Sequence, residues 1–196
     1  CVLTVFVMGV SYVRHRNQTF SAIRELGVRL ECDHVYAGRF IHVDSTESIA
    51  GSMFGDDVIG NLSKVVVVSN SKTDVVFRKL AGIPELRYLA VTDSEITEIG
   101  WRNLKQLRQI RTLSINFQHL KDRDFELLAE LDQLTDLSLW NVQVIDTNAV
   151  PLGRMKNLRS LELRGTGVSL QAVERLKREN PTLTVTVSRD PSGLVN

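Results

Sequence analysis

Four stretches of this 196-residue chain carry one spacing of apolar residues, and each begins 24 residues after the one before. Leu86, Leu89, Val91 and Ile96 open the series, followed by Ile110, Leu113, Ile115 and Leu120. Leu134, Leu137, Leu139 and Val144 come next, and Leu158, Leu161, Leu163 and Val168 complete it; a degenerate earlier copy starts at Leu62, Val65 and Val67. Within each unit the middle apolar residues alternate with polar ones, the period of a half-buried strand. The intervening segments repeat as well. Leu80, Leu104, Leu128, Leu152 and Leu176 form one column, and Ile83, Leu107, Leu131 and Met155 another. In "DRDFELLAELDQL" Phe125, Leu128 and Leu131 recur at helical spacing behind Asp122 or Asp124, either of which can cap the free amides of a first turn. Each unit therefore reads as strand, turn, helix. Neither element buries its apolar side alone, but stacked units share a continuous core, to which each inward leucine contributes roughly 1.5–3 kcal/mol.

The pattern resembles that of leucine-rich-repeat proteins, L-x-x-L-x-L-x-x-N/T-x-L, over about Leu62 to Val168. The resemblance implies an α/β leucine-rich-repeat solenoid: a curved parallel sheet of 24-residue repeats with helices on its convex side, behind an N-terminal helix-hairpin cap. At the position where that pattern places an Asn, Cys or Thr to tie down the turn, this chain has Ser94, Gln118, Val142 and Thr166. Val142 can make no such hydrogen bond, so the turn after Leu139 is expected to be less regular. More loosely, "TFSAIRELGVRLECD" and "MFGDDVIGNLSKVVV" resemble the opening segment of bacterial membrane-anchored proteins of this class.

Four regions follow from this reading. Residues 1–13, "CVLTVFVMGVSYV", are apolar and run into "RHR", as a truncated membrane anchor or signal remnant does. A lipid-modified Cys1 or a buried strand are the other readings of that run. Residues 14–61 form the cap, with a short helix over 17–27 and a hairpin over 28–44 turning near Ala37 and Gly38. Residues 62–181 are the repeats. Residues 182–196 are a capping strand, "TLTVTVS", and a mobile tail, after Pro181 has stopped the last helix.

The side chains between the inward leucines line the concave face of such a sheet in three columns: Tyr88, Thr112, Asp136, Ser160; Ala90, Ser114, Ser138, Glu162; and Thr92, Asn116, Trp140, Arg164. Trp140 is the large aromatic among them. With Arg164 one unit on, Asn116 one unit back, Asp136 and Glu162 on the diagonals and Phe117 just past the strand, it has the make-up of a protein-binding hot spot. Tyr88 and Thr112 extend the same candidate surface. Stacking of Trp140 on the Arg164 guanidinium is the competing explanation. Trp101 lies instead in the column Phe77, Trp101, Phe125, Ala149, Val173, which is apolar throughout and belongs in the core.

Other functions find little support. Lys and Arg number 24 against 23 Asp and Glu, so no long-range field recruits nucleic acid. The run Arg102, Lys105, Arg108, Arg111 maps one unit on to Glu126 and Asp132, with Glu130 mapping to Arg154, and reads as charge ladders between helices. Cys1 and Cys32 fit neither a disulfide framework nor a paired-cysteine zinc site. "RGTGVS" lacks the third glycine of a phosphate cradle, and Cys32, His34, His42, Asp33 and Asp44 on the hairpin match no ligand signature. No cofactor, metal, nucleic acid or small-molecule substrate is expected. The expected function is non-catalytic binding of a protein partner on the concave face, tethered to a bacterial membrane through the N-terminal segment. Its alternatives are a hydrolase or metal site on the hairpin and a structural module that assembles with its own copies.

Overall fold

Val65, Leu89, Leu113, Leu137, Leu161 and Val185 stand opposite one another on successive strands, in register steps of 24 residues, and all are buried. This row is the spine of the molecule. The structure, a computed structural model, describes residues 26, 28–36, 39–44, 61–68 and 72–188. Among them eight strands form one sheet: β1 (Arg29–Tyr36), β2 (Arg39–Asp44), β3 (Asn61–Val68), β4 (Tyr88–Thr92), β5 (Thr112–Asn116), β6 (Asp136–Trp140), β7 (Ser160–Arg164) and β8 (Thr184–Ser188), in the order β2-β1-β3-β4-β5-β6-β7-β8. Strands β3 to β8 run parallel, each joined to the next by a helix: α1 (Thr73–Leu80), α2 (Glu98–Gln106), α3 (Asp122–Ala129), α4 (Asp146–Gly153) and α5 (Leu170–Glu179).

The apolar columns of the sequence are the layers of the core. Val67, Val91, Ile115, Leu139 and Leu163 form a second buried row beside the spine. Behind it lie the helix column Leu80, Leu104, Leu128, Leu152, Leu176 and the aromatic column Phe77, Trp101, Phe125, all buried. Trp101 is thus core, and its indole N–H donates to Asp124 Oδ1 at 2.9 Å, satisfying its one polar group. Successive helices are also tied across the units. Asp146 accepts from the Ser169 backbone N–H and hydroxyl at 2.8 and 2.7 Å, and Asp122 accepts from Asn148 Nδ2 at 2.8 Å. At the opposite edge Gln109, Gln133, Asn157 and Asn180 donate to carbonyls of the preceding unit. This is a leucine-rich-repeat solenoid, as the repeat pattern implies.

Two expectations are corrected. The turn holding Val142 keeps the backbone path of the others and differs in one added bond, from the Val144 N–H to the Val142 carbonyl at 2.8 Å. Asp93, Phe117, Asn141 and Gly165, spaced by 24, all adopt left-handed backbone with φ of 47°, 52°, 50° and 59°, and each donates its N–H to the last carbonyl of the next strand. That backbone bond sets the turn, and Val142, fully buried, contributes apolar contact where its column-mates are polar. The charge ladders are also rearranged. Arg102 pairs with Glu98 one helical turn earlier at 2.8 Å rather than with Glu126, and Glu130 meets Lys105 at 2.9 Å rather than Arg154. For Arg102, spacing of four along one helix wins because the two side chains already share a face, whereas Lys105 and Glu130 keep a pairing between neighbouring units, displaced by one residue from the 24-residue step.

At the N-terminal end β1 pairs antiparallel with β2 and β3, so a hairpin joins Tyr36 to Arg39 and lies against the first parallel strand. The expected anchor (1–13), the helix over 17–27 save Leu26 and Val28 beyond it, and the tail from 189 lie outside the described residues. No helix among the described residues is long and apolar enough to cross a membrane. At the other end α5 stops at Glu179, before Pro181, and β8 pairs parallel with β7.

Candidate functional site

Parallel register places Trp140 directly beside Arg164 at the C-terminal ends of β6 and β7, with Ser138 beside Glu162 two residues back. These four side chains form one connected group. The Trp140 indole N–H donates to Glu162 Oε2 at 3.2 Å, and the Ser138 hydroxyl donates to the same oxygen at 3.1 Å. Arg164 Nε donates to Glu162 Oε1 at 2.6 Å, and its guanidinium carbon lies 4.8 Å from the centre of the Trp140 ring. The carboxylate therefore holds both the ring and the guanidinium, and the two stack on each other. Trp140 still exposes 36% of its surface.

The charge state of this group follows from its contacts. Partial burial pushes the Glu162 carboxyl up, but hydrogen bonds from Arg164, Trp140 and Ser138, with the Arg164 charge, outweigh it and hold the pKa below the usual carboxylate value. Glu162 is thus ionised at neutral pH. Its pairing with the half-exposed Arg164 contributes only about 0–1 kcal/mol to stability, so the group is a fixed surface rather than a folding element.

The remaining candidates are arranged around this centre without joining it. Asn116, opposite Trp140 on β5, turns away: its Nδ2 donates to Thr92 Oγ1 at 3.2 Å and its Oδ1 accepts from Ser114 at 3.1 Å. Asp136 accepts from the Thr135 hydroxyl at 2.7 Å. Tyr88 and Thr112 are half-buried on neighbouring strands, and Lys64 Nζ lies 5.0 Å from the centre of the Tyr88 ring. Phe117 is 59% exposed, its backbone N–H bonded to the Trp140 carbonyl at 2.9 Å. Ser138 was the member sequence reasoning left out, although its place one register step from Glu162 was the signal that could have found it.

No group of His, Cys, Asp and Glu among the described residues could hold a metal ion. Cys32, His34 and His42 lie on β1 and β2, where the register sets Cys32 opposite Val43, His34 opposite Ile41 and Asp33 opposite His42; their side chains lie outside what is described.

No protein-family model matches the chain, and no curated protein matches it. Among solved structures it is similar to an internalin from Listeria monocytogenes, at 24% identity and a TM-score of 0.39 over 58% of this chain and 32% of that one. It is similar also to a protein from Bacteroides fragilis, at 16% identity and a TM-score of 0.48 over 65% of this chain and 41% of the other. The chain thus matches less than half the length of either.

Proposed function

We propose that the chain is a non-catalytic protein-binding module whose partner contacts the concave face around Trp140. The observation that carries this reading is the fixed Trp140–Arg164–Glu162 group: an exposed aromatic and a guanidinium, both held by hydrogen bonds, lose little conformational freedom when a partner covers them. Asn116, Asp136, Phe117, Tyr88 and Thr112 form the surrounding polar and aromatic rim in this reading. The N-terminal segment tethers the module to a bacterial membrane, a reading supported by the apolar run before Arg14 and Arg16. Fractionation of cells producing the chain with and without residues 1–13 tests the tether: loss from the membrane fraction on deletion supports it, and unchanged partition counts against it.

The binding reading is tested by Trp140→Ala combined with Arg164→Ala. The pair keeps the thermal midpoint of the parent protein and loses a partner that the parent captures; unchanged recovery of that partner refutes the assignment. A second reading, assembly of the chain with its own copies through β8, draws on the exposed Thr184 and Thr186 at the end of the described sheet. A concentration-dependent mass that collapses on Thr186→Pro distinguishes it.

A further inference from the structure

The repeats serve as their own control, because each position can be compared with its counterparts 24 residues away. On the edge of the solenoid where strands end and helices begin, four large apolar side chains break the local rule. Phe117 occupies the left-handed turn position that the other repeats fill with Asp93, Asn141 and Gly165, residue types that tolerate positive φ, and a bulky side chain there is strained. Ile145 stands at the N-cap of α4, where Thr97 and Ser169 cap α2 and α5 with their hydroxyls. Leu170 opens α5, where Asp74, Glu98, Asp122 and Asp146 hold the equivalent place. Ile99 sits in α2 where the earlier counterpart, Val75, is partly buried and the later ones are the polar Arg123, Thr147 and Gln171.

None of the four is repaid by burial: Ile99 is 60% exposed, Phe117 59%, Ile145 48% and Leu170 73%. They fall one to a repeat in four consecutive repeats, so they form a strip along one edge. Three strand steps of about 4.8 Å spread it over roughly 15 Å at the sheet, the span of a short peptide segment. Ile145 and Leu170 are brought together by the bonds between their immediate neighbours Asp146 and Ser169.

The charge beside the strip says what covers it. Asp122, Asp124 and Asp146 line this edge, and their hydrogen-bond partners are neutral: Asn148, the Trp101 indole and Lys121 backbone N–H groups, and Ser169. Glu95 and Glu98 add to them, Glu98 being paired with Arg102, while Lys121 and Arg123, with Lys72 at the N-cap of α1, are cations on the same edge. The bonds from Ser169 hold the Asp146 carboxyl below its ordinary pKa, so its charge persists in mildly acidic solution. A second copy would set one predominantly acidic edge against another.

We infer that this edge is a second docking surface, adjoining the concave face at Phe117 and otherwise distinct from it, for a segment of another protein in which large apolar residues alternate with Lys or Arg. Peptides selected on the purified protein from a random twelve-residue display library test it. Enriched peptides combine large apolar and basic residues, and a synthetic copy of the best binds at least tenfold more weakly to the variant Phe117→Asn, Ile145→Ser, Leu170→Asp. The added aspartate strengthens attraction to a basic peptide, so a loss reports the apolar contact. The same variant melts at or above the parent temperature, since each change restores the repeat's own residue. Trp140→Ala with Arg164→Ala leaves the peptide affinity unchanged. The inference is overturned if no peptide is enriched, if acidic peptides are, or if the triple variant binds as the parent does. It is equally overturned if the concave-face pair abolishes binding, or if the parent is a dimer that the triple variant dissociates.

Discussion

Replacing Leu137 by Ala removes most of a fully buried side chain from the middle of the spine row. Leu113 and Leu161 flank it on neighbouring strands, and β6 is bonded in register to both β5 and β7. Leu→Ala changes in cores cost about 2–5 kcal/mol, the upper part applying where the surroundings cannot collapse into the space. Here the ladders on both sides fix the strand spacing, so the cavity stays open and the expected loss is about 3–5 kcal/mol. Because the repeats stack in one dimension, weakening a central interface also separates the units on either side of it. Urea unfolding followed by circular dichroism measures the loss, with Leu170→Ala, on an exposed side chain, as the control that changes stability by less than about 0.5 kcal/mol. A loss below about 1.5 kcal/mol for Leu137→Ala, at unchanged denaturant slope, refutes the buried-row reasoning.

Three further outcomes follow. Thr97→Ala removes the hydroxyl that accepts from the Ile99 N–H and donates to Asp74 Oδ2, and destabilises by about 1–2 kcal/mol in thermal unfolding, whereas Arg102→Ala, at an exposed pair, changes it by less than about 0.5 kcal/mol. Glu162 has its pKa depressed by folding, so its contribution is present above the ordinary value of 4.5 and is lost as pH falls through the lower folded value; in a Trp101→Phe background, Trp140 fluorescence is flat from neutral pH to 4.5 and changes only below it. Gly165→Ala, at φ 59° and with its new Cβ crowding the Asn141 side chain, destabilises by about 1–2 kcal/mol, while the same change at Gly167, where φ is not positive, costs less.

The sequence carried the fold because each inward position repeats its residue type: a column such as Leu89, Leu113, Leu137, Leu161 states both the strand and its register. The left-handed column was also present in it, as Asp93, Asn141 and Gly165, but Phe117 broke the pattern and hid it. Val142 misled for a related reason, since the turn is held by a backbone N–H that no side-chain pattern reports. At the candidate site, register alone put Trp140 beside Arg164. The direction of the Glu162 carboxylate toward the indole, and of Asn116 away from it, depends on rotamers that spacing does not encode. The apolar edge strip is legible only as four single departures in different columns, and it takes the exposure of those side chains to join them.

The 24-residue register lays the Arg164 guanidinium on the Trp140 ring. Nuclear Overhauser spectra of the isotopically labelled protein in the Trp101→Phe background measure it directly. Contacts between the Trp140 ring protons and the Arg164 side chain, with the indole N–H shifted by its bond to Glu162, are the expected result. An indole with free-solution shifts, or one in contact with residues at another sequence separation, contradicts the register and the site built on it.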